Sequence, residues 1–254
     1  MMPLFFKTRV QIHAERVFKE VFQGEYEGEV LLCGGAFKPV LKPGLPINDF
    51  DLWVRNRKER ERLVRFLLQR GASLVRDFHP FCLKLRLDGR IIEITYHNVN
   101  DGALADVLNT FDLAVCSIGA RYQNGKLVET LVAPECRDSV RRRSIQVLPA
   151  YQCFLEATHA PSLIRTLHRM GQQAVELGYE VDTTHEHLLW RMFWNDYSEE
   201  ERRIAVDLYF ETMVHYKGHC DERLVRRATV GGIPAAIRDQ KDHHNLGHLT
   251  PRHA

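Results

Sequence analysis

Residues 31–54 read LLCGGAFKPVLKPGLPINDFDLWV. The apolar run that closes at Cys33 is cut by Gly34-Gly35, which predicts a buried strand over Glu29–Cys33 ending in a tight turn. Residues 36–48 carry Pro39, Pro43, Pro46 and Gly44 and predict a loop. From Asn48 to Val54 the chain alternates, so Asp49, Asp51 and Trp53 point to one side and Phe50, Leu52 and Val54 to the other. Two carboxylates at i and i+2 of a strand therefore share a face. Hard divalent cations such as Mg²⁺ or Mn²⁺ take oxygen ligands of this kind and can clamp both oxygens of an in-line displacement at phosphorus.

Outward from this stretch, residues 9–22 predict a helix. A second, charged helix follows over Arg55–Arg70, with Leu63, Phe66 and Leu67 on its stripe and Gly71 at the left-handed position beyond its end. Phe81 to Leu87 alternates, Asp88-Gly89 is a hairpin signal, and Arg90 to Tyr96 is the returning strand. Glu93 sits in the middle of that strand between Ile92 and Ile94, where an unpaired charge is costly. It reads either as a third metal ligand or as one half of an ion pair with Lys84 or Arg86 on the adjacent strand. Residues 101–109 read as helix, and Phe111–Ile118 and Lys126–Val132 as strands joined at Gln123-Asn124-Gly125. After Pro149 strand signals stop. Leu163, Leu167, Met170, Ala174 and Leu177 form a helical stripe ending at Gly178, His187–Phe193 continues as helix, and Ser198 with Glu201 forms a capping box for a helix to about 216. The fold class expected is α+β: a mixed-sheet head over 1–148, then an all-α neck over 149–230, then a polar, His-rich tail over 231–254 expected to be disordered.

The bulk numbers narrow the class. With 254 residues, 44% hydrophobic and 27% charged, the chain has the make-up of one large or two small water-soluble globular domains. A net charge of +2 announces no polyanion binder by itself, so only local clusters count. Arg55–Arg65 reads as a solvated helix face, and Arg137–Arg143 as a candidate contact for a polyanion. The 6 cysteines, at 33, 82, 116, 136, 153 and 220, have no CxxC spacing and read as reduced thiols. No run of about 18 apolar residues is present, so no membrane span is expected and the default compartment is the cytoplasm. His185-Glu186-His187 lacks the HExxH spacing of a zinc site.

A lone DxD is weak evidence. The combination of a GG turn, a basic loop with Lys38 and Lys42, DxD on a strand and a carboxylate on a later strand is far more specific. Gly34 and Gly35 let backbone amides approach a phosphate, and Lys38 supplies countercharge. This order of parts resembles the DNA polymerase β-like nucleotidyltransferase superfamily. More narrowly it resembles the head and neck domains of the class II branch, the bacterial-type poly(A) polymerases and CCA-adding tRNA nucleotidyltransferases. The resemblance runs from about residue 28 to 182. It rests on the quoted stretch, on RIIEITY at 90–96, on LNTFDLAVCSIGARYQNGKLVE at 108–129 and on APSLIRTLHRMGQQAVELGYEVD at 160–182.

The resemblance implies Asp49, Asp51 and Glu93 as catalytic metal ligands for Mg²⁺ or Mn²⁺. It implies nucleotide contacts from Gly34, Gly35, Lys38, Asp112, Arg165 and Arg169. It implies an NTP as substrate, an RNA 3′ end as acceptor and pyrophosphate as leaving group. The chain departs from the family at Ala36-Phe37-Lys38-Pro39, where the acid is missing, and at Phe111 and Cys116, where an arginine and an asparagine stand in the family. These departures keep two alternatives open: a nucleotidyltransferase acting on a small molecule or a protein, and a catalytically inactive RNA-binding relative. Oligomeric state is not readable from the sequence.

Overall fold

The computed structural model describes residues 4–78, 82–96, 103–149, 160–217 and 222–230. The His-rich tail, Cys153 and Cys220 lie outside the described residues. The chain forms two compact units, Met1–Arg142 and Arg143–Ala254.

The first unit is built on a mixed seven-stranded sheet. Its strands are β1 (Glu29–Cys33), β2 (Asp49–Val54), β3 (Ser73–Phe78), β4 (Cys82–Leu87), β5 (Arg90–Tyr96), β6 (Ile118–Gln123) and β7 (Lys126–Val132). They lie in the order β3-β4-β5-β2-β1-β6-β7. Strand β2 is central, antiparallel to β1 and parallel to β5. The alternation seen in the sequence is the alternation of burial: Phe50, Leu52 and Val54 are buried, while Asp49, Asp51 and Trp53 are half-buried. Helices α1 (Leu4–Phe22) and α3 (Arg57–Gln69) share one core with the Phe50 face, through Phe18, Phe22, Leu63 and Leu67. Each such side chain contributes about 1.5–3 kcal/mol by leaving water, which is what pins the carboxylate face outward. Arg70 at the end of α3 donates to the carbonyl of Val21 on α1 and ties the two helices.

Both hairpin signals are realised. Asp88-Gly89 and Asn124-Gly125 each have two consecutive positive φ values, 49° and 79° in the first and 50° and 74° in the second, as a type I′ turn demands. Asn56 caps α3, its side chain accepting from the Glu59 N–H at 3.0 Å.

Several expectations are corrected. Phe111–Ile118 is not one strand: Ala114–Cys116 is a 3₁₀ turn and pairing starts only at Ile118. A buried apolar run satisfies a turn as well as a strand, and periodicity cannot separate them. The loop over 36–48 is shorter than expected. Gly34–Phe37 forms a 3₁₀ turn, and Lys38–Leu41 forms a one-turn helix α2 with Pro39 in its first turn, where a missing N–H costs nothing. In the first unit two further elements were not foreseen: the edge strand β3 and the helix α5 (Pro134–Arg142). The short helix read over 101–109 is α4, Leu104–Leu108.

The second unit carries α6 (Ala160–Leu177), α7 (Thr183–Asn195), α8 (Glu199–Lys217) and α9 (Glu222–Val230). Among its described residues the strands are one two-residue parallel pairing of β8 (Ser144–Ile145) with β9 (Glu180–Val181), which the sequence did not signal. The stripe on α6 is buried from Leu163 to Leu177. The capping box is present: the Ser198 N–H donates to Glu201 Oε2 at 2.7 Å, and the Glu201 N–H donates to Ser198 Oγ at 3.3 Å.

Asp182 caps α7, accepting the N–H of His185 at 3.2 Å, with the His185 ring nitrogen 3.3 Å away. The His185 side chain and its backbone N–H outweigh half-burial and pull the Asp182 carboxyl down to about 2. A depressed carboxyl contributes stability above the unfolded value, and that contribution is lost as pH falls from about 4 through about 2. Asp182→Ala is expected to cost about 1 kcal/mol at neutral pH. Acid unfolding monitored by circular dichroism should show the gap between wild type and variant closing over that window.

Candidate metal centre

The site lies on the face of β2 opposite Phe50 and Leu52, beside a small apolar cluster in which Leu31 and Cys33 pack with Leu104, Val107 and Leu108. Asp51 stands directly opposite Glu93 on parallel β5 and opposite Cys33 on antiparallel β1. Asp49, two residues earlier, shares the face. One ligand oxygen from each of Asp49, Asp51 and Glu93 lies within 4.8 Å of the other two, and all three side chains are half-buried. Among the described residues this is the group of acids and soft ligands that converges. Three carboxylate oxygens this close suit a hard divalent cation and suit a soft one poorly.

The GG turn is built against these acids. Strand β1 ends at Cys33, and the chain turns at Gly34 with φ +63°. The Gly35 N–H donates to Asp51 Oδ2 at 3.3 Å. A Cβ on Gly34 would sit 3.2 Å from both Asp51 Oδ2 and the Phe111 ring. On Gly35 it would sit 3.6 Å from Asp51 Oδ2 and 3.7 Å from Asp49 Oδ1. Helix α1 braces the turn from behind. His13 Nε2 is 2.7 Å from the Ala36 carbonyl, and Arg9 donates to the Val40 carbonyl at 2.9 Å. Burial lowers the His13 pKa despite that carbonyl, which favours a neutral ring donating from Nε2. Nothing in the local sequence marks His13 or Arg9 for this role, because it depends on how α1 packs across the sheet.

The electrostatics follow from the cluster. Lys84 on β4 is directly opposite Glu93, and its Nζ lies 2.6 Å from Glu93 Oε2. Half-burial pulls the ammonium down, but the hydrogen bond and charge of Glu93 outweigh it and raise the Lys84 pKa. Burial and then the Glu93 carboxylate push the Cys82 thiol up to about 11. Burial, and behind it Asp51, holds the Cys33 thiol well above its usual range.

The other expected site residues are placed as follows. Lys38 opens α2, half-buried, directly after the GG turn. Asp112 is buried at 5% exposure, next to Phe111, and is outside the converging group. Phe111 packs edge-on to Trp53, ring centroids 5.8 Å apart, and walls the site beside Gly34. Arg165 and Arg169 lie on α6 of the second unit, the first exposed and the second half-buried. The Arg137–Arg143 cluster is largely engaged within the protein: Arg137 donates to the Val132 carbonyl, and Arg141 and Arg142 pair with Asp138. Arg60, read as part of a solvated face, is buried and paired with Asp77 of β3 at 3.2 Å. Glu186 pairs with Arg227 at 2.5 Å and accepts the Trp190 indole N–H. No helix among the described residues is long and apolar enough to cross a membrane.

No family model and no curated protein matches the sequence. Solved structures do match. The chain is similar to a CCA-adding enzyme in complex with ATP, at 14% identity and a TM-score of 0.53, covering 88% of this chain and 49% of that one. It is similar to the apo form I of a CCA-adding enzyme, at 16% identity and a TM-score of 0.52, covering 84% of this chain and 50% of that one. A structure titled tRNA-processing enzyme complex 3 matches at 16% identity and a TM-score of 0.50, over 86% of this chain and 58% of the other. The chain thus has the fold of these enzymes and spans about half their length.

Proposed function

We propose that the first unit is the head of a metal-dependent nucleotidyltransferase, which moves a nucleotidyl group from an NTP to an acceptor hydroxyl and releases pyrophosphate. The observation that carries this reading is the convergence of Asp49, Asp51 and Glu93 within 4.8 Å, on the face where the Gly34-Gly35 turn lies. Likeness in fold to structures holding ATP and CTP supports an NTP as donor, and likeness to tRNA-processing enzymes supports an RNA 3′ end as acceptor. Fold by itself does not dictate activity, so the weight rests on the site.

In this reading Asp49, Asp51 and Glu93 hold Mg²⁺ or Mn²⁺. A divalent ion there would neutralise phosphate charge and make the acceptor hydroxyl a better nucleophile. The protein's own part is positional. The GG turn and the short helix after it, held by His13 and Arg9, keep the Gly35 amide against Asp51, and Lys38, which opens that helix, would supply countercharge to a triphosphate. The Phe111 and Trp53 rings, packed edge to face, flank the site on one side. The acceptor oxygen attacks the α-phosphorus as the bond to pyrophosphate breaks, and the hydroxyl proton leaves to solvent.

The test is incubation of the full chain with each α-labelled NTP, Mg²⁺ and total RNA. Label in RNA, lost when EDTA is added, is the expected result. Label only in small molecules or protein transfers the chemistry to another acceptor. No label with any NTP overturns the catalytic reading and leaves a binding module.

A further inference from the structure

The Lys84–Glu93 pair sits inside the proposed metal site, and its register is fixed by covalent geometry. The two-residue Asp88-Gly89 turn joins β4 to β5 with Leu87 opposite Arg90, and counting back along both strands sets Lys84 opposite Glu93. A one-residue slip of register would carry Lys84 to the other face of the sheet, so its backbone position opposite Glu93 is set. The three carboxylates carry three negative charges and Lys84 returns one positive charge to the edge of the group, at 2.6 Å from Glu93 Oε2. An ammonium and a hard cation seek the same carboxylate lone pairs. At such short range, in a half-buried setting, their mutual repulsion is large on the scale of thermal energy.

Resting on the carboxylate cluster being a metal site, we propose that Lys84 is a built-in counter-cation which a divalent ion must displace from Glu93, so that this lysine sets the metal affinity of the cluster. Lys84 acts through Glu93 and is a positioning residue. Without an ion it keeps the third carboxylate from being repelled by Asp49 and Asp51, and its four-carbon stem lets the ammonium swing aside when an ion arrives. The arrangement weakens binding of a free cation. It favours entry of an ion together with a polyanion such as a triphosphate, whose negative charge offsets the displaced ammonium.

The test is a titration of the full chain with Mn²⁺ alone, reading free Mn²⁺ by its electron paramagnetic resonance signal. Lys84→Met and Lys84→Gln, two neutral replacements of differing polarity, should bind Mn²⁺ on the order of tenfold more tightly than wild type. Lys84→Arg, which keeps the charge, should stay near wild type, and Asp51→Asn should lose binding. A purely structural role for Lys84 would not tighten metal binding, so unchanged or weaker affinity in both neutral variants, with wild type still binding, overturns the role of Lys84 alone. Absence of Mn²⁺ binding in every protein overturns the metal site itself, and the proposal with it.

Discussion

Asp51→Asn is expected to lower nucleotidyl transfer by about a hundredfold to a thousandfold, the scale seen when a group serving transition-state charge is removed, while the protein stays folded. Asp51 is the central member of the cluster, flanked in register by Glu93 and Cys33 and touched by the Gly35 N–H. The amide keeps the shape and one acceptor oxygen, so the hydrogen bond to Gly35 can survive. What is lost is one charge among three that crowd within 4.8 Å. In the absence of metal that loss relieves repulsion, and the melting temperature should hold or rise. An activity loss accompanied by unfolding would mean that Asp51 is a structural residue. Full activity in a folded variant would mean that it binds nothing the reaction needs.

The second large effect is expected at the glycine turn, and its two residues should behave differently. Gly34 has φ +63°, and a methyl group there meets Asp51 Oδ2 and the Phe111 ring at 3.2 Å. Gly34→Ala thus adds left-handed strain of roughly 1–3 kcal/mol to a contact that pushes on the central carboxylate. Both the melting temperature and transfer should fall, transfer by at least about tenfold. Gly35 has no positive φ, and its added methyl would find only ordinary contacts at 3.6 and 3.7 Å. Gly35→Ala should leave stability within about 0.5 kcal/mol of wild type. It should still impair transfer, because the methyl points at Asp49 and Asp51, where the amide edge has to stay open to a phosphate. Thermal melts beside a transfer assay separate the two behaviours. Equal stability losses at both glycines would contradict this description of the turn.

The heart of the site was legible in the sequence because strand periodicity is strict. Asp49 and Asp51 alternate with Phe50 and Leu52, and a strand offers those side chains only two faces. The Asp88-Gly89 turn likewise fixes which residue opposes Glu93, although the sequence reading left Lys84 and Arg86 both open. The parallel pairing of β2 with β5 was not readable. It is made across a long connection holding α3, β3 and β4, and no local signal specifies it. Strand β3 escaped notice because it is an edge strand whose Leu74 and Val75 are 61% and 44% exposed, so no clean alternation exists. Arg60 was misplaced for a related reason: its partner Asp77 lies on that unseen strand. The 3₁₀ turn at Ala114–Cys116 cannot be told from strand by periodicity, because all its side chains are buried and burial alone carries no period.

The claim on which the rest depends is that three acids hold a divalent ion, and it can be observed directly. Crystals of the protein soaked in Mn²⁺ with a non-hydrolysable NTP, measured at the manganese absorption edge, should show an anomalous peak in contact with carboxylate oxygens of Asp49, Asp51 and Glu93, with Lys84 withdrawn from Glu93. A map with no peak among these oxygens, and with the Lys84–Glu93 pair intact beside a bound nucleotide, would contradict the account.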